Sequence, residues 1–383
     1  MSAPDTNTPT ELIVNEKNIE LDGGDTSSQD QDTISFPFDT SKIRIEAKPM
    51  TIDLLIGRIK NKEIDLMPDF QREAGIWKDK EQSRLIESLL LRIPIPAFYF
   101  DATDDEKWLV VDGLQRLTAL NRFILDKDLT LQDLEFLGDK YNNASYDKLP
   151  RPLQRTILET VLTTYQIMPG TPAKVKFNVF KRINTGGLSL SPQEIRHALN
   201  QGSVTRKLEQ LAESDEFKVA TAGGVSPKRM DDRDCIARFI AFSLTSPDAY
   251  KDDYDTFINA GMEKANLLMP KQLEAICENF LRVMRYIPDI FGSDAFRKRY
   301  RREGGRYPVN KALFETWTVN LGSLSEQDME VLISRKETLK DAFIALMNNR
   351  DFENSVSQGT GSVARVQLRY AAIQKIIKET LHA

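Results

Sequence analysis

Histidine is nearly missing from this chain, with His197 and His382 the two present among 383 residues. A catalytic metal held by imidazoles beside a general base needs more than that, so a His-dependent nuclease centre is not expected. Cysteine is equally scarce. Cys235 and Cys277 each sit inside an apolar helical pattern and read as small core residues of a reducing compartment, not as a disulfide or a metal site. No apolar run approaches the roughly 18 residues of a membrane span. The N-terminus has no basic segment leading into an apolar one, so the chain reads as cytoplasmic, with no membrane partner. There is no Cys-x-x-Cys, no Walker loop, no Gly-x-Ser-x-Gly elbow and no repeat of fixed period.

What is present begins with a charge asymmetry. Nine of the acidic residues and one base, Lys17, lie in residues 1–40, which leaves 51 basic and 48 acidic residues for the remainder. A net charge of −5 thus conceals a slightly basic body, compatible with nucleic acid without demanding it. Residues 1–40 are rich in Asp, Thr, Ser, Gln and Gly, too polar to offset their ordering entropy, and read as a mostly solvated tail. A short apolar stretch such as Leu12-Ile13-Val14 could still dock.

Order is expected from about residue 42. Periodicity predicts helices over 51–61 and 79–92, the second stopped by Pro94 and Pro96. Short strands at 97–100 and 108–111 follow, separated by the acidic turn 101–106. The second strand runs into Asp112-Gly113, and a helix leaves at once with Leu117, Leu120 and Ile124 on one face. Residues 128–170 read as an insertion ending in a helix near 151–163. From 203 the pattern is helical: 204–213, 231–245, 253–267, 270–286, 309–320, 325–348 and 362–380. The expected class is α+β, a small mixed domain over 41–202 followed by a mainly helical region over 203–383.

The strand–turn–helix at 108–124 carries the clearest chemistry. Amides at the mouth of a helix, with the positive end of its dipole, favour an anion such as phosphate. Gly113 permits close approach and a positive φ. Arg116 can offer a planar fork to phosphate oxygens, Gln115 can donate to phosphate or orient water, and Asp112 can hold a divalent cation. A plain capped helix, with Asp112 as cap and Arg116 solvated, fits the same string.

The flanks form an ordered series: Pro68-Asp69-Phe70-Gln71-Arg72, Trp77, the 79–92 helix, Pro94-Ile95-Pro96 and Val111 to Leu120. This series resembles the N-terminal domain of the GmrSD-type modification-dependent restriction proteins, itself similar to the ParB/sulfiredoxin fold, over about residues 48–200. The resemblance implies binding, and in the family hydrolysis, of a nucleoside triphosphate with Mg²⁺. Asp112, Gln115 and Arg116 take the catalytic places, Asp112 the metal, and Gly113 the phosphate turn. Leu114 stands where the family carries Gln, which puts hydrolysis more in question than binding. Gln71 and Arg72 are expected on a second wall, unless Gln71 bonds backbone and Arg72 meets a surface carboxylate.

A second family-like segment covers Phe177–His197. Ser191-Pro192-Gln193-Glu194 is a capping box with proline at the first helical position. The loop Asn184-Thr185-Gly186-Gly187 can wrap a phosphate or form a simple turn, so Arg182 and Asn184 join the nucleotide-contact set. His197 reads as either a base or a packing residue. Farther on, Arg297 to Tyr307 packs six bases, one acid and two tyrosines into eleven residues. Arg297, Lys298, Arg299, Arg301, Arg302 and Arg306 are expected to track a DNA backbone, or else to form a solvated helix end paired with the acidic tail.

Three functions are consistent with these residues. The first is a nucleotide-gated protein of DNA restriction or anti-phage defence, with DNA as partner. The others are a metal-dependent DNA nuclease using the same pocket and a non-enzymatic adaptor recruiting a partner nuclease. On the first, Arg116→Ala is expected to abolish nucleotide binding with the fold intact.

Overall fold

A computed structural model describes residues 19–20, 43–64, 66, 77–183, 190–251 and 253–383. The chain divides into two units, Phe36–Leu199 on one hand and Met1–Ser35 with Asn200–Ala383 on the other. The architecture is α+β, a small sheet domain followed by a mainly helical region.

The first unit is organised by a four-stranded sheet of order β1-β4-β2-β3, with β1 at Ile45–Thr51, β2 at Phe98–Asp101, β3 at Leu109–Asp112 and β4 at Val161–Ile167. Strand β4 pairs antiparallel with β1 and parallel with β2, and β3 pairs antiparallel with β2. The helices are α1 Ile52–Lys60, α2 Asp79–Leu90, α3 Leu114–Asn121, α4 Gly138–Tyr141, α5 Arg151–Glu159, α6 Ala173–Ile183 and α7 Pro192–Leu199. Thr51 starts α1 by accepting from the Leu54 amide at 3.3 Å. Helix α3 runs on through a π-helical turn, Arg122–Asp126.

Alternation divides the sheet residues between two apolar clusters. Phe98, Phe100, Val110 and Leu162 pack with Ile52, Leu55, Ile86, Leu89, Leu117 and Leu120. Val111 and Ile167 pack with Phe177, Phe180 and Ile195. Two expectations need correction. The helix expected to 163 stops at Glu159, and Val161 onward is strand β4. Strand β1 was not anticipated, because five of its seven residues are exposed and show no alternation.

The second unit contains α8 Ser203–Glu213, α9 Asp215–Ala220, α10 Asp231–Leu244, α11 Tyr254–Leu267, α12 Pro270–Phe291, α13 Lys311–Gly322, α14 Glu326–Ser334, α15 Lys336–Met347, α16 Arg350–Ser357 and α17 Val363–His382. The single helix expected over 325–348 is thus two, interrupted at Arg335. Phe239, Phe280, Phe314 and Trp317 lie at the centre of its core. Both cysteines are buried and free. Burial pushes the Cys277 thiol up to about 11 and raises Cys235 well above the ordinary thiol value, which makes them poor nucleophiles.

Charged groups are also buried here, in opposite pairs. Lys311 of α13 meets Asp231 at 2.8 Å and Asp234 at 3.0 Å, and Asp234 meets Arg238 at 3.1 Å. Glu315, one turn beyond Lys311, holds Arg369 of α17 at 2.5 Å with both side chains fully buried. Such pairs cost desolvation and add little net stability, but removing one partner strands the other. No helix among the described residues is long and apolar enough to cross a membrane.

Within the acidic segment 1–40, Ile19 and Glu20 are described, and both are held by this unit. Ile19 is 8 % exposed within the main core cluster. The Glu20 amide donates to the Val309 carbonyl at 2.7 Å, as a parallel bridge to Asn310.

Candidate phosphate-binding site

The Asp112 turn owes its geometry to a break in pairing. Phe100 pairs with Val110 and Asp101 with Leu109, but Tyr99 pairs with Asp112, so the register shifts by one residue between Tyr99 and Phe100. A bulge of this kind re-aims the side chains that follow it. Gly113 comes next at φ +102, in the left-handed region. A Cβ at Gly113 would lie 2.4 Å from Cδ1 of Phe98, so the turn admits glycine on steric as well as conformational grounds. The Leu117 amide closes the first turn of α3 on the Gly113 carbonyl at 2.9 Å. The preceding amides, of Leu114, Gln115 and Arg116, belong to the helix mouth, where the helix supplies no carbonyl.

Arg116 is 8 % exposed. Its Nη2 donates to Asp112 Oδ2 at 2.7 Å and to the Ala97 carbonyl at 3.2 Å, and its Nη1 donates to the Pro96 carbonyl. The guanidinium carbon stands 4.6 Å from the centre of the Phe98 ring. Burial pulls the guanidinium below its ordinary value, against the opposing pull of Asp112. The side chain therefore braces the turn from behind. The expectation that Arg116→Ala would leave the fold intact is corrected accordingly, because that change leaves Asp112 without its cation and two carbonyls without a donor.

Asp112 keeps 30 % of its side chain exposed. Among the described residues no group of three or more His, Cys, Asp or Glu side chains converges as a metal site. One carboxylate already neutralised by Arg116 does not by itself make a magnesium site.

Leu114 is 8 % exposed and faces the core with Leu117 and Phe98. Gln115 is half-buried, and its Oε1 accepts from the Trp77 amide at 3.0 Å. That contact ties the start of α3 to the end of the Pro68–Trp77 segment. Gln71 and Arg72 themselves, and Asn184 with its glycine loop, lie outside the described residues. Arg182 is exposed in the last turn of α6. The capping box of α7 forms as its residues dictate, the Glu194 amide donating to Ser191 Oγ at 3.1 Å and the Ser191 amide to Glu194 Oε2 at 2.6 Å. His197, on α7, is 2 % exposed and belongs to the interior.

Sequence reasoning passed over three groups that complete this neighbourhood. Gln82, buried on α2, donates to the Trp77 carbonyl at 2.7 Å and accepts from Arg122 at 3.0 Å, bracing Trp77 from the other side. Tyr99, opposite Asp112, stacks on Tyr165 with ring centres 4.8 Å apart. Burial, then Tyr165 and Asp112, raise its phenol above the ordinary value. Glu87, 3 % exposed, accepts from the amides of Glu135, Phe136 and Leu137 at 2.7–2.9 Å. The signal for Gln82 and Glu87 was there: a polar residue on the apolar stripe of α2.

The basic segment of the second unit presents less charge to solvent than its sequence suggests. Arg297 is 2 % exposed and donates to the carbonyls of Tyr307, Thr221 and Ser293. Lys298, 9 % exposed, pairs with Glu20 and lies 3.9 Å from Glu353. Neither is available to a DNA backbone, which corrects the expectation for these two. Arg299 pairs with Asp294, and Arg306 donates to the Ser293 carbonyl at 2.8 Å. Arg301 and Arg302 are exposed, Arg302 bonded to Asp341. Tyr300 and Tyr307 pack edge to face with centres 5.6 Å apart.

The first unit is thus an α+β domain with a strand–glycine–helix turn braced by a buried arginine. Residues 53–200 match the family model described as GmrSD restriction endonuclease, N-terminal domain, and this segment is a domain of that family. Comparisons with curated proteins and with solved structures gave no match. Leu114, the first residue of α3, falls on a packing position.

Proposed function

We propose that the chain serves a restriction-type defence system against foreign DNA, its first unit binding the phosphates of a nucleoside triphosphate at the mouth of α3. The reading is supported by the family match and by the left-handed Gly113 turn, which opens α3 directly after β3 and sets its first amides at the helix mouth. Arg116 positions the turn, and Gln115 is the polar side chain nearest the expected phosphates. Mg²⁺ would be held chiefly by the phosphates, with the remaining oxygen of Asp112 as the protein's contribution. DNA is the partner assigned to the exposed basic groups of the second unit, with a coupling to nucleotide state of about 1–3 kcal/mol. That unit's contribution rests on Arg301 and Arg302.

Calorimetry with the four triphosphates tests the site. Gln115→Glu keeps an acceptor for the Trp77 amide and adds a negative charge where phosphate is expected, so affinity should fall at least tenfold. Unchanged affinity removes the assignment. Phosphate release then separates turnover from binding alone. An adaptor that recruits a partner nuclease is favoured by the lone, neutralised carboxylate at the turn, and it predicts binding without release.

A further inference from the structure

We infer that the N-terminal acidic segment is clasped to the second unit at Lys298 and competes there with polyanions for Lys298 and the exposed Arg301 and Arg302. The clasp has three parts. Ile19 enters the helical core, where it is 8 % exposed. The Glu20 amide donates to the Val309 carbonyl at 2.7 Å, the beginning of a parallel strand pairing with Asn310. The Glu20 carboxylate meets Lys298, which is 9 % exposed with Glu20 in place. An apolar anchor, a main-chain bond and an ion pair on two successive residues constitute strand addition in its shortest form.

The chain around this anchor is acidic. Glu16, Asp22 and Asp25 follow or precede Glu20 by four, two and five residues. An extended chain spans at most about 3.6 Å per residue, so these carboxylates stay within roughly 14, 7 and 18 Å of Glu20 by covalent connection alone. Tethering at such range gives an effective concentration on the order of millimolar. The exposed cations that follow Lys298 in the chain, Arg301 and Arg302, are the groups a nucleic acid backbone would contact. A tethered acidic peptide and a phosphate backbone present the same charge to them, so the two exclude each other. The occupant is this chain's own segment, because the contact is recorded within one unit of one chain.

The nucleic-acid arm of this inference rests on the DNA reading above; the clasp does not. Its test uses the full chain carrying Ile19→Asp with Glu20→Gln, a pair that releases the anchor without changing net charge. Hydrogen exchange should show the Glu20 amide protected in the parent and at least tenfold faster in the variant. Anisotropy with a fluorescent 20-nucleotide DNA at 50 mM salt should show about threefold or more tighter binding by the variant, the gap narrowing at 200 mM salt as screening weakens both contacts. The variant should also leave a heparin column at higher salt. Equal exchange in the two proteins overturns the clasp. Faster exchange with unchanged affinity for both DNA and heparin overturns the competition. If neither protein binds DNA but heparin retention rises on release, the competition stands and the DNA reading fails.

Discussion

Substituting alanine for Gly113 tests the geometry on which the phosphate-binding turn depends. Two costs combine. The backbone there has φ +102 and ψ 7, outside the wells that L-residues favour, which costs about 1–3 kcal/mol. The new Cβ would lie 2.4 Å from Cδ1 and 2.9 Å from Cε1 of Phe98. That ring is fully buried, with the Arg116 guanidinium over its face, so it has little room to yield. Overpacking of this kind adds about 1–3 kcal/mol. The sum is about 2–6 kcal/mol, a large part of the ordinary stability of a domain. Urea unfolding reads it, provided the two units are followed separately. Trp108 reports the sheet unit and Trp317 the helical one, so a Trp317→Phe background isolates the first transition. With a slope of about 2 kcal/mol per molar urea, the midpoint should fall by about 1–3 M. Gly57→Ala is the control: nothing lies within 4 Å of its Cβ, it sits inside α1, and the change should stabilise by up to about 1 kcal/mol. A Gly113→Ala protein within about 0.5 kcal/mol of the parent would refute the tight turn, and with it the case for an amide-lined mouth.

Two further outcomes concern buried carboxyl groups whose pKa values shift in opposite directions. Burial raises the pKa of Glu87, but its three amide donors outweigh that and hold it below 4.5. Its stabilisation is therefore complete above pH about 4.5 and is lost as pH falls through the lower folded value; Glu87→Gln should cost about 2–3 kcal/mol at pH 7 and progressively less under acid, by urea titration at each pH. Asp232 is pushed the other way by burial, up to about 6 from 3.8. The native state then binds the proton more tightly, so this group's favourable contribution is present below pH about 4 and lost as pH rises through 6; Asp232→Asn should raise the melting temperature of the helical unit at pH 8 and match the parent near pH 4. A constant difference across that range would refute the assignment.

The strand–turn–helix was legible because its signals are local: Val110-Val111, then Asp112-Gly113, then apolar residues three and seven apart. The direction taken by Arg116 was not. An arginine four residues after an aspartate can face solvent or fold back, and here the carbonyls of Pro96 and Ala97, some twenty positions earlier, settle the matter. The same limit hid part of the fate of the 297–306 bases, since nothing in that stretch announces the Ser293 carbonyl or Asp341, although pairing with the acidic tail was one of its two readings and Glu20 meets Lys298. Strand β4 was concealed by composition. Its inward residues include Thr164 and Gln166, which satisfy themselves on the Lys48 carbonyl and the Met50 sulfur, both on β1. A polar residue that finds its partner across a sheet looks, in one dimension, like one that belongs to solvent. The buried cysteines were legible for the opposite reason, being enclosed by apolar neighbours on their own helices.

The order of strands in the sheet has a consequence for synthesis. The closest pairing between β1 and β4 joins Thr51 to Val161, and the farthest joins Ile45 to Ile167. At about 5–20 residues per second, a ribosome finishes β1 roughly 5–20 s before it begins the strand that must lie beside it. For that interval both margins of β1 offer unpaired amides and carbonyls to any passing nascent chain. Pro49 and the charges of Glu46 and Lys48 discourage such encounters, because proline withholds a donor and charge repels stacking. A transcript cut short before codon 161 would yield a strand that can never be paired, and its product should be cleared or aggregate instead of accumulating.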